Sequence, residues 1–242
     1  MQDLPPILFE DETLIAFDKP GGLLVVPDRW DKDLTNLMQI VHEKLSAGIS
    51  NVHRLDRETS GVFLCTKTKM ALDDLSGQFQ SKHVKKRYVA ITLGVMPDDE
   101  MAVRKPILED EHRPGKMRVG KKSGKPSETL LRTLTRWRGY SLVEAFPITG
   151  RTHQIRVHLA FLGCPVLADP LYGDGNGLML SAIKGDYKHK SEPERPLLGR
   201  LALHAESITF THPANHQVMT IRSPLPKTFE VAIKYLRRYA GM

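Results

Sequence analysis

The most constraining feature of this sequence is a pair of strand-like segments separated by a two-residue turn. Residues 128–137 and 140–148 are rich in β-forming side chains, and only Arg138 and Gly139 connect them. Consecutive strands joined so closely pair in antiparallel fashion. Further strands are predicted as two short segments within 7–17, joined by an acidic turn, and at 62–65, 85–93, 202–210 and 218–223. Because strands outnumber helices and often follow one another directly, we predict an α+β fold with a mixed, largely antiparallel β-sheet core flanked by helices and loops.

Four helices are indicated by apolar spacing and by helix-terminating residues. They are a helix with Leu37, Ile40, Val41 and Leu45 that ends near Gly48, one with Leu72, Leu75 and Phe79 after a Thr68 cap, one from about Thr152 to Gly163, and one from Pro226 to Tyr239. Surface insertions are expected at 94–126, as a mobile hairpin or loop, and at 173–199. Since no repeat or linker interrupts the chain, residues 1–242 are predicted to form a single domain.

The charge balance of the chain favours a polyanionic partner. Its 242 residues include 35 Lys and Arg against 28 Asp and Glu, which gives a net charge of +7. The basic residues cluster at 82–87, 116–125, 132–138 and 184–190, and Tyr88, Trp137 and Tyr187 lie in or beside these clusters. Clustered cations with nearby aromatic rings are typical of surfaces that track phosphates and stack bases. Alternatively, each cluster is a solvated loop face.

Several classes of protein are excluded by what the sequence lacks. It contains no run of about 18 apolar residues, so no membrane-spanning helix is predicted. The first six residues have neither a basic patch nor an apolar core, which favours the cytoplasm. Cys65 and Cys164 lack the paired spacing of zinc sites, and His153 and His158 do not form an HExxH motif. We therefore expect a protein without metal.

The segment 53–61 contains a carboxylate, Asp56, between the guanidinium-bearing neighbours Arg54 and Arg57, just before the apolar run 62–65. Nearby positive charge favours the ionised form of an acid. An ionised carboxylate of this kind can act as a nucleophile or as a general base. The same residue types also occur in ordinary polar turns, because Asp, Thr, Ser and Gly have local hydrogen-bonding preferences.

Three motifs in order carry a resemblance to a known family. The strings HRLDRETSG at 53–61, KKRY at 85–88 and GRTHQIRVH at 150–158 resemble the three-part signature of the RluA-type pseudouridine synthases. The similarity extends to FDKPGGL at 17–23, LADPLYG at 167–173, LALHA at 201–205 and THP at 211–213. It therefore covers nearly the whole chain.

The resemblance implies an enzyme that isomerises uridines in structured RNA, either large-subunit ribosomal RNA or tRNA, without cofactor or metal. Little chain precedes His53, so we expect the catalytic domain alone, without the N-terminal S4-type RNA-binding module of many relatives. A monomer is expected.

The resemblance also implies roles for individual residues. Asp56 is the expected catalytic carboxylate, Arg156 its ion-pair partner, and Tyr88 the ring that stacks on the target base and assists removal of the C5 proton. Whether Asp56 forms a covalent adduct or removes a sugar proton to give a glycal-like intermediate stays open. The alternatives are that Arg156 is a surface helix arginine and that Tyr88 is a half-buried strand tyrosine.

The residues expected on the RNA-binding side of the site are Arg54, His53, Lys85, Lys86, His153 and Gln154. The resemblance implies that Arg54 fills the space left when the uridine is extruded from its stack. His53, Thr59, His153 and Gln154 are expected to hold the pocket in shape through hydrogen bonds. Two other functions remain as alternatives: a noncatalytic RNA-binding or assembly factor, and a glycoside hydrolase that uses Asp56 with Glu58.

Overall fold

The computed structural model describes residues 3–27, 34–121, 123–188 and 193–241. The helices and strands of this part of the chain are β1 (Ile7–Glu10), β2 (Leu14–Lys19), α1 (Leu37–Lys44), β3 (Ser50–Asn51), β4 (Ser60–Thr66), α2 (Lys69–Gln80), β5 (Lys85–Leu93), β6 (Glu100–Arg104), β7 (Ile107–Glu109), β8 (Met117–Val119), β9 (Glu128–Trp137), β10 (Tyr140–Pro147), α3 (Gln154–Phe161), α4 (Leu180–Ile183), β11 (Leu203–Thr211), β12 (Val218–Arg222) and α5 (Lys227–Tyr239). The predicted α+β class with a mixed, largely antiparallel sheet is confirmed.

The chain forms two compact units. The first comprises Met1–Arg87 and His204–Pro224, and the second comprises Tyr88–Leu203 and Leu225–Met242. Each unit therefore contains residues that are distant in sequence. The expectation of a single functional domain stays a prediction.

The first unit is built on strands β1, β2, β4 and β11, in that order, with β3 paired to β4 and β12 paired to β11. The β4 and β11 strands are parallel, and the other pairs are antiparallel. Its apolar core includes Leu14, Leu64, Leu75 and Phe210. Helix α2 begins as predicted, since the Thr68 side chain accepts a hydrogen bond from the Ala71 amide.

Gly61 allows the backbones of β4 and β11 to approach closely. Its φ is +114°, and a Cβ atom at this position would lie 2.1 Å from the carbonyl oxygen of Ala205. No other residue type fits there without moving the β11 backbone. Gly61 thus connects the end of the 53–61 motif to a strand that comes more than 140 residues later.

The second unit contains the antiparallel order β5, β10, β9, β6, together with the separate β7–β8 hairpin. The predicted β9–β10 hairpin is confirmed, with Trp137 opposite Tyr140 and Gly139 at φ +79° in the turn. Helices α3 and α5 contribute Leu159, Phe229 and Leu236 to the core. No helix in the described ranges has the length and apolar character needed to cross a bilayer.

The two expected insertions contain more regular structure than the sequence indicated. Segment 94–126 adds β6 to the edge of the sheet and forms the β7–β8 hairpin. Segment 173–199 contributes the buried side chains Leu178, Ile183 and Leu198 to the core. Lys122, His189 and Lys190, which belong to two of the basic clusters, lie outside the described residues.

Candidate active site

The loop that carries Asp56 connects β3 to β4 in the first unit. Leu55 is buried and anchors the loop, whereas Arg54 is exposed and Asp56 is partly exposed. The Thr59 amide donates to the Asp56 backbone carbonyl oxygen at 3.2 Å, which closes a backbone turn that begins at Asp56. The Thr59 hydroxyl is buried without a hydrogen-bond partner in the described part of the chain, so its expected supporting bond is not observed.

A buried lysine holds the residue that follows Asp56. Lys19 is fully buried, and its ammonium donates to the carbonyl oxygens of Pro20 at 2.9 Å, Leu23 at 2.7 Å and Arg57 at 3.0 Å. Gly22 and Arg57 exchange two further bonds, from the Gly22 amide to the Arg57 carbonyl and from the Arg57 Nε to the Gly22 carbonyl. The loop at 20–23 therefore fixes the backbone beside the candidate carboxylate.

The imidazole of His53 supports the first unit from within. Its Nε2 accepts a hydrogen bond from the Leu64 amide at 2.9 Å, and its ring stacks on Phe79 and contacts Phe63. Burial, together with the positive charge of Lys86, lowers the pKa of His53 to about 3. A neutral imidazole that accepts a backbone bond suits the supporting role expected for His53.

The motif 85–88 crosses from the first unit to the second. Lys85 is exposed, and Lys86 is partly buried, which lowers its pKa to about 8. Tyr88 begins the second unit, lies half-buried on β5 and pairs with Ala145 of β10.

Arg156 lies on α3 in the second unit and forms a buried ion pair. Its guanidinium makes two hydrogen bonds of 2.7 Å to the carboxylate of Asp169, and the two residues are 3% and 0% exposed. Arg156 is therefore not a surface arginine, which removes that alternative. Its expected pairing with Asp56 stays a prediction, since Asp56 belongs to the first unit.

The N-cap residue of α3, His153, and its first residue, Gln154, have different surroundings. Gln154 is buried, donates to the Glu128 carbonyl and to Thr129, and accepts from Thr149 and the Arg151 amide. These four bonds favour a supporting role over direct RNA contact. His153 has a left-handed backbone, with φ 54°, and its Nδ1 is hydrogen-bonded to the Tyr172 hydroxyl at 2.8 Å.

Sequence reasoning assigned no role to Lys19, Asp169 or Tyr172, although it noted the segments that contain them. The available signal was local: each is a polar or aromatic side chain followed directly by Pro or Gly, in a segment that also contains apolar residues. Among the described residues, no group of three or more His, Cys, Asp or Glu side chains is arranged to hold a metal ion.

Comparison with known proteins decides the family. The model of the RNA pseudouridylate synthase family matches residues 13–161, more than half of the chain. The chain belongs to this family. The three motifs at 53–61, 85–88 and 150–158 all lie inside the matched range, and the resemblance to the RluA-type pseudouridine synthases is confirmed.

Curated relatives within the family have closely similar sequences. Ribosomal large subunit pseudouridine synthase D of Neisseria meningitidis serogroup B is 37% identical over 242 residues, covering 98% of this chain and 62% of that protein. Ribosomal large subunit pseudouridine synthase C of Vibrio vulnificus is 37% identical over 238 residues, covering 98% of this chain and 70% of the relative. This pseudouridylate synthase family member thus spans less than two thirds of the Neisseria protein.

Solved structures agree with the family assignment. Human RNA pseudouridylate synthase domain containing 4 is 28% identical, with a TM-score of 0.74 and coverage of 96% of this chain and 92% of that chain. Human RNA pseudouridylate synthase domain containing 1 is 22% identical, with a TM-score of 0.71, and shows the same fold.

Proposed function

We propose that this protein isomerises uridine to pseudouridine in structured RNA, with large-subunit ribosomal RNA as the first candidate substrate and tRNA as the second. The ribosomal choice follows the names of the relatives from Neisseria and Vibrio. The net charge of +7 suits a polyanionic substrate. Action as a monomer in the cytoplasm belongs to the same proposal.

The main support for this proposal is that the region matching the family model contains all three candidate catalytic residues. Residues 13–161 contain the Asp56 loop, Tyr88 and Arg156 together. A noncatalytic RNA-binding factor would have no need to retain an acid, a phenol and an arginine at all three matching motifs.

The reaction replaces the C1'–N1 glycosidic bond of uridine with a C1'–C5 bond. The bond between C1' of the sugar and N1 of the base is cleaved, the base rotates, and C5 becomes bonded to C1'. C5 loses its proton and N1 gains one, so the composition of the nucleoside is unchanged. A carboxylate can serve as the nucleophile or as the base in this sequence. We assign that role to Asp56, with Arg156 stabilising its ionised form and Tyr88 stacking on the base and assisting removal of the C5 proton.

The target uridine must leave its stack before Asp56 can reach it, and unstacking costs a few kcal/mol. The exposed Arg54, two residues before Asp56, can occupy the vacated space. The ammonium groups of Lys85 and Lys86 are suited to nearby phosphates.

Tritium release tests the proposed activity directly. The full chain is incubated with large-subunit ribosomal RNA or tRNA transcripts that carry tritium at uridine C5, and the released label is counted. We expect release with at least one RNA, and a roughly 10²–10⁴-fold lower rate for Asp56→Asn.

Glu58→Gln is the matched control, because Glu58 is a carboxylate on the same loop, pairs with Arg57 and has no role in the proposed reaction. This variant should release tritium at the wild-type rate. Undiminished release by Asp56→Asn would overturn the assignment of Asp56. RNA binding without release by the wild-type protein would instead favour the noncatalytic factor, and release of a free base or sugar would favour a hydrolase.

A further inference from the structure

Tyr172 connects two parts of the second unit that the proposed function needs. The backbone amide, the ring and the hydroxyl of this residue each have separate partners. None of these contacts follows from the three motifs that define the family resemblance.

The backbone and ring of Tyr172 contact the two members of the Arg156–Asp169 ion pair. The amides of Leu171 and Tyr172 donate to the Asp169 carboxylate at 2.9 and 3.2 Å. The Arg156 guanidinium carbon lies 5.1 Å from the Tyr172 ring centroid, within the range of a cation–π contact. The direction of the guanidinium is thus set by the carboxylate and by the aromatic ring.

The hydroxyl of Tyr172 is hydrogen-bonded to the β7–β8 hairpin. It accepts a hydrogen bond from the Met117 amide at 2.8 Å and is bonded to His153 Nδ1, also at 2.8 Å. Lys116, the residue before Met117, has its ammonium 5.3 Å from the same ring. The Tyr172 phenol therefore joins the hairpin to the α3 region.

The β7–β8 hairpin presents cations beside an open cleft, and this arrangement suits RNA binding. Lys116 is partly exposed and Arg118 is exposed, and both lie at its second strand. A cleft of about 440 Å³ is lined by residues of both hairpin strands and by Gly150, Arg151 and Thr152. Cations beside an open cleft can contact phosphates and bases.

Two backbone positions beside these contacts are strained. His153, which binds the Tyr172 hydroxyl, and Ala168, which precedes Asp169, both have left-handed φ angles, of 54° and 58°. For a non-glycine residue this conformation persists only where surrounding contacts compensate for it. The bonds made by Tyr172 and Asp169 provide such contacts.

We propose that Tyr172 is a positioning residue with two separable functions. Its hydroxyl holds the β7–β8 hairpin in place for RNA binding, and its ring orients Arg156 for the reaction at the base. This inference rests on the proposed isomerase function. It predicts that the two functions respond to different substitutions.

The test compares Tyr172→Phe with Tyr172→Leu in the tritium-release assay. Tyr172→Phe keeps the ring but loses both hydroxyl bonds, so we expect KM for RNA to rise about three- to tenfold with kcat within about twofold of wild type. Tyr172→Leu also removes the ring, so we expect kcat to fall about tenfold or more. Tyr235→Phe is the matched control, because it makes the same change on α5, where the Tyr235 ring contacts Tyr239; wild-type kinetics are expected.

Limited proteolysis gives a second readout that does not depend on activity. Trypsin should cut after Lys116 about three to ten times faster in Tyr172→Phe than in the wild-type protein, because the adjacent Met117 amide has lost its acceptor. Cleavage after the exposed Lys82 in the first unit should keep its rate.

Equal loss of kcat in the Phe and Leu variants, or wild-type KM and wild-type cleavage in Tyr172→Phe, would overturn the proposal. If the wild-type protein releases no tritium, the isomerase function fails. Faster cleavage after Lys116 in Tyr172→Phe would then still show that the hydroxyl holds the hairpin in place, whereas unchanged cleavage would overturn that role as well.

Discussion

The guanidinium of Arg156 binds the carboxylate of Asp169 through two parallel hydrogen bonds of 2.7 Å, and neither residue is appreciably exposed. Bidentate geometry of this kind fixes the plane of the guanidinium as well as its position. The two residues are 13 positions apart, on α3 and on the segment that follows it. The candidate arginine of the third motif is thus oriented by a residue outside that motif.

Removal of the Asp169 charge should destabilise the protein strongly. We expect Asp169→Asn to lower the free energy of unfolding by about 3 kcal/mol, because it leaves the Arg156 charge buried without its counterion. Urea denaturation measures the change. Asp73→Asn removes one partner of the exposed Lys69–Asp73 pair and should cost less than about 0.5 kcal/mol. Similar losses in both variants would contradict a special contribution from the buried pair.

Gly61→Ala should strongly destabilise the first unit. The added Cβ would lie 2.1 Å from the Ala205 carbonyl oxygen, so a backbone shift adds to the cost of the left-handed φ. We expect a loss of about 3 kcal/mol or more in urea denaturation. Gly139→Ala is the control, because Gly139 also has a positive φ, but a Cβ atom added there would meet no atom within 4 Å. Its cost should stay near 1 kcal/mol, from backbone strain alone.

The depressed pKa of His53 should make stability fall in acid. The unfolded chain binds a proton at its histidines near pH 6.5, whereas His53 in the folded protein does so only near pH 3. Stability from the neutral imidazole is therefore complete above about pH 6.5 and is lost as the pH falls towards 3. Between pH 7 and pH 5 we expect a loss of about 1–2 kcal/mol in the free energy of unfolding.

Histidine replacements isolate this contribution in urea titrations at pH 7 and pH 5. His53→Gln lacks the titrating group, so its unfolding free energy should vary less between the two pH values. His83→Gln changes an exposed histidine and should retain the wild-type pH dependence. Identical pH dependence in wild type and His53→Gln would show that His53 does not carry the effect.

Replacement of Lys19 should release the backbone beside Asp56. Lys19→Met keeps most of the side-chain volume but leaves three carbonyl oxygens, those of Pro20, Leu23 and Arg57, without the ammonium donor. We expect a loss of roughly 2–4 kcal/mol in unfolding free energy. Lys234→Met, an exposed position on α5, should change stability by less than about 0.5 kcal/mol. A Lys19 variant as stable as the Lys234 variant would refute this role.

The lowered pKa of Lys86 should make RNA affinity sensitive to alkaline pH. With a pKa of about 8, its ammonium loses its proton between pH 7 and pH 9, where an exposed lysine stays charged. If Lys86 contacts phosphate as proposed, the affinity should fall about three- to tenfold over this range at fixed salt. Filter binding measures it. Lys86→Arg stays charged and should lose most of this dependence; an unchanged pH profile would contradict the contact.

Local sequence signals were sufficient where the structure is local. The β9–β10 hairpin was predictable because the two-residue turn of Arg138 and Gly139 makes its strands antiparallel neighbours, and the Thr68 cap was predictable from its position before an apolar helical face. The Asp56 loop could be identified because its motif is contiguous. In contrast, β6 escaped prediction because its five residues have a short pattern and are stabilised by pairing with β9, about 30 residues later.

The sequence by itself determined the α+β class, the principal helices and the family, because these depend on residue periodicity, turn chemistry and contiguous motifs. Only the tertiary structure decided three contacts. Lys19 donates to the Arg57 carbonyl, Asp169 binds Arg156, and the Tyr172 hydroxyl accepts a hydrogen bond from the Met117 amide. Each of these contacts joins polar groups from different segments. Burial makes an unpaired polar group costly, so the fold selects the partners, and linear spacing does not reveal them.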